Sequence, residues 1–469
     1  MFQDVYDCIS PIDFRYRHEE AARYLSENAN IQCQLLMEVA LSEVLCRRGF
    51  MNRECVAEIH AAVNCITAAM VYIEEQRIHH DVRALVNCIR TRISEKARPF
   101  IHLFATSEDI KGNALILRVK NAVEFVLLPR LLQLEDIVAT IAAKEADTEQ
   151  IGRTHGQHAL PITFGFALAE YVHRIGECIE ELQERCAKLV GKFSGAVGAY
   201  HAASLFVPDP EVFEREVLAE VGLKPVLHST QIIPPEPLTR LLSEIAVTSG
   251  VLANLADDMR QLQRTEIAEV GEFFDDKVQV GSSTMPHKMN PWKLEGVAGF
   301  EREIVPDMVK VFLNQISEHQ RDNRNSMPSR TYAEIVAYAI AQTAQLVGVM
   351  CTLHVNSENM QRNLRMEGDL ILAEMLYTCL TVQGYPEAHE IVRKLVLQAR
   401  EERKTLRDIA SQKAVKDATF GKAWFEIGHM HMYLFDNPGA YKGIASKKTQ
   451  DVVEFWTKKL FGKTNEIKR

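Results

Sequence analysis

The feature that most limits the fold of this chain is a helical repeat sustained over long stretches. From Leu115 to Asp147 apolar side chains recur three and four residues apart, at Leu117, Val119, Ala122, Phe125, Leu128, Leu131, Leu132, Leu134, Ile137 and Ile141. The same spacing governs Thr163–Val190, Glu236–Glu266, Trp292–Ile316 and Tyr332–Val355. Each run spans about 25–33 residues, against roughly 11–12 for an ordinary helix. Helices of that length with a broad apolar stripe bury it only against one another, so the repeat calls for a bundle. Alternating apolar-polar runs bounded by turn dipeptides are scarce, and the expectation is an all-α fold.

Between these runs lie segments rich in Gly, Pro, Ser, Thr, Asn, His and Arg: Ala105–Asn113, Ile151–Ile162, Gly195–Pro210, Leu227–Pro237, Val270–Pro291 and Arg321–Arg330. They are read as non-helical, and polar loops between rigid helices are where chemistry usually sits. The repeats are shorter before about residue 110 and after about residue 357. Three helical domains are therefore expected, over residues 1–111, 112–356 and 357–469, with the long bundle in the middle.

Composition narrows the function class. With a net charge of −9 and no basic stripe along an expected helix, nucleic-acid binding is disfavoured. None of the ten cysteines is spaced as CxxC, so no zinc site is expected, and they read as reduced cytosolic thiols. The first twenty residues lack an apolar core, and no stretch approaches the roughly 18 unbroken apolar residues of a membrane span. A cytoplasmic protein is the expectation.

One loop carries most of the chemical information. Val280–Pro291 reads V-G-S-S-T-M-P-H-K-M-N-P. Gly281 and two serines make its backbone mobile, and Pro286 keeps helix out. Asn290-Pro291 reads as a helix start, with Asn290 as the N-cap and Pro291 at the first helical position. Hydroxyls and a cation thus sit on a mobile flap rooted in a helix. The same residues also suit a flexible connector closed by a capping asparagine.

The stretch G-S-S-T-M-P-H-K-M-N-P resembles the signature loop of the fumarase/aspartase superfamily, GSSxMPxKxNP, at all its specified positions. His287 at the variable position is typical of the adenylosuccinate lyase family and of carboxymuconate cycloisomerases. Further segments resemble the former in order along the chain. They are S-P-I-D-F-R-Y (residues 10–16), H-D-V (80–82), A-T-S-E-D-I (105–110), G-R-T-H-G-Q (152–157), T-Q-I (230–232) and Q-R-D (320–322), followed by Ser326 and Arg330. The resemblance covers residues 10 to about 450. It implies a homotetramer whose central helices merge into one core, with each active site drawn from three subunits. It also implies a succinylated purine nucleotide as substrate, with no cofactor and no metal.

What the resemblance implies for single residues is as follows. Ser282 is the base, His155 the general acid, Lys288 and Asn290 hold a substrate carboxylate, and His80 orients the acid or holds the phosphate. Substrate contacts fall on Arg15, Tyr16, Asp81, Thr106, Ser107, Asp109, Thr154, Gln231, Ser283, Met285, Arg321, Ser326 and Arg330. These residue types suit β-elimination. A carbanion beside a carboxylate is dianionic and wants fixed positive charge, and an amine leaves only if an imidazolium protonates it. Two other readings remain open here: a related lyase or cycloisomerase acting on a phosphate-free substrate, and a structural protein reusing the fold. Arg15, Ser326 and Arg330 bear on the first, and the presence of Ser282 and His155 bears on the second.

Overall fold

A computed structural model describes residues 4–275 and 277–462. Helix accounts for 67% of the chain, in line with the all-α expectation. The helices used below are α1 (Glu27–Arg47), α2 (Ala68–Ile78), α3 (Asp81–Arg90), α4 (Ser107–Ala122), α5 (Leu128–Lys144), α6 (Phe164–Ala187), α7 (Glu236–Leu262), α8 (Trp292–Leu313), α9 (Tyr332–Met350), α10 (Ser357–Leu364), α11 (Ala418–Asp436) and α12 (Ala445–Phe461). Two antiparallel strand pairs interrupt them: β1 (Glu149–Thr154) with β2 (Gln157–Thr163), and β3 (Val270–Gly271) with β4 (His354–Val355).

The chain separates into two compact units. The first takes the residues up to Gln133, Glu177–Asn254 and Gly296–Val347; the second takes Leu134–Gly176, Leu255–Glu295 and the residues from Gly348 on.

In the first unit α1 packs on α4, and Leu35, Leu41 and Leu45 of the one and Ile110, Ala114 and Leu117 of the other are all buried. Ser26 starts α1 by accepting the Ala29 N–H at 3.3 Å. Gln342, fully buried in α9, donates to the carbonyls of Ser249 (3.1 Å) and Val297 (3.0 Å), so one amide ties α9 to α7 and α8. The stretch Pro328–Met350 is long and apolar enough to cross a membrane, 18 residues of it having mean hydropathy 1.3, but 67% of those are buried inside the protein. Past Ala122 the backbone widens into a π turn, Val123–Leu127, before α5 begins. Pro129 explains it: a proline inside a helix lacks an N–H and clashes with the carbonyl four residues back, and the wider turn relieves both.

In the second unit a core of Leu372, Leu376, Leu395, Leu406, Ile409, Phe420, Trp424 and Ile427 fills the C-terminal helices. The Trp456 ring of α12 lies against Gly176 of α6, where any Cβ would collide with it, and its indole N–H donates to His173 Nδ1 at 3.1 Å.

One expected non-helical segment differs from expectation, and another is non-helical as expected but ordered as strands. Within Ala105–Asn113, helix α4 already begins at Ser107, because Thr106 and Asp109 form a reciprocal capping box that closes the first turn. Ile151–Ile162 is a β-hairpin; its turn residues His155 and Gly156 are left-handed, and strand pairing satisfies the backbone on either side.

Glu135 of α5 is 1% exposed, and neither carboxyl oxygen has a hydrogen-bond partner among the described residues. Burial, aided by the charge of Asp136, pushes its carboxyl up from 4.5 to about 9. Between those values the folded protein keeps a proton that the unfolded chain releases, so stability falls as pH rises toward 9. By pH 7 this costs about 3 kcal/mol. Glu135→Gln removes the term. Its melting temperature should match the parent's near pH 4.5 and exceed it by a margin that grows toward pH 9; parallel melting curves across that range would contradict this account.

Candidate active site

The first unit contains a cavity of about 190 Å³ lined by residues of α1, α2 and α4 and by the segments around residues 232–235 and 321–332. Four residues expected from sequence meet on its wall: Asp81, Arg321, Ser326 and Arg330. A fifth, Gln231, accepts from Arg321 Nη1 at 3.4 Å. The cavity is polar and mixed in charge. Arg321 Nη1 donates to Glu108 at 2.6 Å, and Lys111 Nζ donates to Asp81 at 2.8 Å. Burial pushes the Asp81 carboxyl up, but the Lys111 hydrogen bond and charge outweigh it and leave Asp81 below the usual carboxylate range. Burial alone would lower the Arg330 guanidinium; a hydrogen bond to the Tyr72 hydroxyl and the nearby Glu27 and Asp81 charges hold it above its ordinary value.

His80 borders this wall as the N-cap of α3, its Nδ1 accepting the Arg83 N–H at 3.3 Å. The neutral ring then carries its proton on Nε2 and presents a donor. The adjacent His79 closes α2 in a left-handed conformation, φ 60°. Arg15 and Tyr16 lie outside the cavity lining; Arg15 is exposed, and Tyr16 packs edge-on against Phe300 with ring centroids 5.4 Å apart.

Asp109, expected as a substrate contact, is fully buried and paired with the equally buried Lys192. The N–H groups of Thr106 (2.8 Å), Ser194 (3.2 Å) and Gly195 (3.2 Å) complete its shell, leaving no oxygen to face a ligand. Thr106 serves the same capping box, with Ser107 half-buried as the first residue of α4.

The second unit carries the hairpin and the signature loop. Thr154 ends β1, and the tip of the hairpin is His155 (φ 53°) followed by Gly156 (φ 74°), a two-residue turn with both residues left-handed. The hairpin is fixed at its root. Arg153 donates to the fully buried Glu269 at 2.6 and 3.2 Å, and Gln150 (2.7 Å) and Asn363 of α10 (2.8 Å) converge on the same carboxylate. An exposed imidazole thus stands on a rigid base.

In the loop, Ser282 Oγ accepts the N–H of Met285 at 3.1 Å and of Thr284 at 3.4 Å. Two backbone donors on one hydroxyl oxygen favour its anionic form. Ser283, Met285 and Lys288 are exposed. Since α8 begins only at Trp292, Asn290 departs from the N-cap expectation. Its amide donates back to the Gly281 carbonyl at 3.1 Å, closing the loop at its neck, while Glu272 accepts the Leu294 N–H at 2.7 Å and caps the helix instead. Among the described residues no hydrogen bond joins Ser282 to His155, and no group of three or more His, Cys, Asp or Glu side chains is placed to hold a metal.

Sequence reasoning did not single out Glu108, Lys111, Lys192 or Glu269. Glu108 lies inside the A-T-S-E-D-I segment and stands three residues before Lys111, a helical ion-pair spacing that was the available signal.

Residues 16–305 match the family described as lyase, and residues 317–422 match the one described as adenylosuccinate lyase C-terminal. The adenylosuccinate lyase of Pyrococcus abyssi is 35% identical over 419 residues, covering 88% of this chain and 92% of that protein. That of Archaeoglobus fulgidus is 33% identical over 451 residues, covering 95% and 98%. The solved 3-carboxy-cis,cis-muconate lactonizing enzyme of Pseudomonas putida shares the fold, with a TM-score of 0.83 at 23% identity over 96% of this chain and 99% of that one. The chain belongs to the fumarase/aspartase superfamily of lyases and, within it, to the adenylosuccinate lyase family.

A left-handed turn prefers Asn or Gly, and His155 holds its place there at a conformational cost of order 1 kcal/mol. His155→Asn should therefore keep or raise the melting temperature while turnover falls by about 10²-fold or more. Unimpaired turnover in the Asn variant would remove His155 from the chemistry.

Proposed function

We propose that this chain eliminates fumarate from succinylated purine nucleotides in purine biosynthesis. It releases AMP from adenylosuccinate and the carboxamide imidazole ribotide from its succinylated form. The observation that carries the reading is the meeting of Arg321, Ser326 and Arg330 beside Asp81 on one cavity, in a member of a lyase family. Two guanidiniums and a hydroxyl suit a phosphate monoester. A phosphate-free carboxymuconate gives such a set no task, which weighs against the cycloisomerase alternative.

The proposed steps use the chain's own groups. Ser282, as an alkoxide favoured by the N–H groups of Met285 and Thr284, takes the proton from the succinyl carbon beside a carboxylate. The Lys288 ammonium and the Asn290 amide stabilise the dianionic carbanion. The electron pair moves into the new C=C bond, and the C–N bond breaks with its pair going to nitrogen. The His155 imidazolium delivers a proton to that nitrogen and becomes neutral. His80 offers its Nε2–H to the substrate or orients the acid. Arg15, Tyr16, Thr106, Ser107, Thr154, Gln231, Ser283 and Met285 complete the proposed substrate contacts. These proposed steps call for no metal or organic cofactor.

A homotetramer with shared sites accompanies this proposal, and so does a cytoplasmic location. Support for assembly comes from α8 and its continuation, where Val305, Val309, Phe312, Leu313 and Ile316 are exposed at three-and-four spacing. Such a stripe finds its partner on another copy. Val309→Glu should shift the species seen by light scattering to smaller mass; an unchanged mass would remove the stripe from the interface.

An ultraviolet assay tests the activity directly. The purified protein should release fumarate from both succinylated nucleotides and leave carboxymuconate untouched. Ser282→Ala should cut turnover by roughly 10²–10⁴-fold with the melting temperature retained. Full turnover in that variant would refute the base, and processing of carboxymuconate alone would refute the substrate class.

A further inference from the structure

We propose that Glu108 is a built-in rival of the ligand's phosphate for Arg321. It holds the guanidinium while the cavity is empty, gives it up when a nucleoside monophosphate enters, and so sets how tightly that group is bound. The inference rests on the reading of Arg321, Ser326 and Arg330 as phosphate contacts and adds a specificity-determining residue to it.

The hydrogen bonds of Arg321 carry the argument. Nε donates to the Asp322 carbonyl at 3.3 Å and Nη2 to Asn323 Oδ1 at 3.1 Å, while Nη1 is shared between Glu108 at 2.6 Å and Gln231 at 3.4 Å. These bonds take four of the five N–H donors and leave one on Nη2, so a phosphate gripped by two N–H groups of this guanidinium has to replace a partner. The Glu108 bond is the shortest of the four and joins opposite charges. Both side chains are largely shielded, 14% and 16% exposed, which limits solvent screening of the pair.

The charge balance of the cavity points the same way. Its lining carries four carboxylates and four cationic side chains. A phosphate monoester brings about −1.5 to −2 more, into a wall whose positive charge is already matched. Asp81 is held by Lys111 at 2.8 Å, and Lys111 lies 3.6 Å from Glu108, so displacement of Glu108 from Arg321 leaves it a second cation to turn to. A plainer role exists for Glu108: as the second residue of α4 it faces the positive end of a helix. That role needs no guanidinium, and Asp109 already caps the helix.

Glu108→Gln separates the two roles, because it keeps the shape and an acceptor oxygen while removing the charge. Dissociation constants for AMP, inorganic phosphate and adenosine are measured by calorimetry at fixed ionic strength, for the parent, Glu108→Gln and Arg321→Ala, with melting temperatures as the folding control. Glu108→Ala serves as the second variant and should shift the same way. Loss of the competing charge should tighten AMP and phosphate by roughly three- to tenfold and leave adenosine unchanged. Equal or weaker AMP binding in Glu108→Gln, with AMP binding weakened in Arg321→Ala, overturns the proposal and leaves the phosphate reading standing. Equal gains for AMP and adenosine overturn it as well. AMP binding untouched by Arg321→Ala removes the phosphate reading and the proposal together.

Discussion

The ion pair between Asp109 and Lys192 is the interaction on which the first unit's site depends. Two fully buried charges persist only if the rest of their hydrogen-bonding capacity is met. Here Asp109 gathers the Lys192 ammonium and three backbone N–H groups, and Lys192 Nζ also donates to the Gly195 carbonyl at 3.1 Å. Asn113 locks the same strand of chain from the other side, donating to the Lys192 carbonyl at 2.6 Å and accepting its N–H at 3.1 Å. Ser194 then meets Ser229 at 2.8 Å, two residues before Gln231. One buried pair thus fixes the start of α4, which displays Glu108, and the approach to Gln231, which touches Arg321. Losing either partner strands the other's charge, at a cost of about 3–5 kcal/mol.

In both units a buried carboxylate holds the backbone that carries candidate site residues. In the second unit the task falls to Glu269 under the hairpin, while the half-buried Glu272 caps the helix that follows the signature loop. His155 and Ser282 face solvent to differing degrees while the roots beneath them are tied down. Such an arrangement lets a tip adjust to a ligand without loosening the scaffold.

Much of this was legible in the sequence, and the exceptions have physical reasons. The five long helices announced themselves because burial of one face imposes a period that survives any detail of packing. Their ends were harder. The start of α4 at Ser107 depends on the reciprocal Thr106–Asp109 cap, and the hairpin at His155 depends on backbone pairing that strand periodicity barely records. Asn290 read as an N-cap because its type and its place before Pro291 fit, yet Glu272, 22 residues upstream of Leu294, took the position. In the site, the motif residues Asp81, Arg321, Ser326 and Arg330 were visible, whereas their counter-ions were not. Glu108 and Arg321 are 213 residues apart, Asp109 and Lys192 are 83 apart, and no local pattern records such pairings.

The π turn at Val123–Leu127 fits one more residue into the helical path than an α-turn would hold. Beyond it every side chain is rotated by about 100° relative to an unbroken α-helix. The faces of α5 are therefore set by a register that begins at Leu128 rather than at Ser107. A homologous helix without an equivalent of Pro129 has no reason to widen. It keeps the same faces only by being one residue shorter between Ala122 and Leu128, so a single-residue gap there is the mark this proline leaves on an alignment.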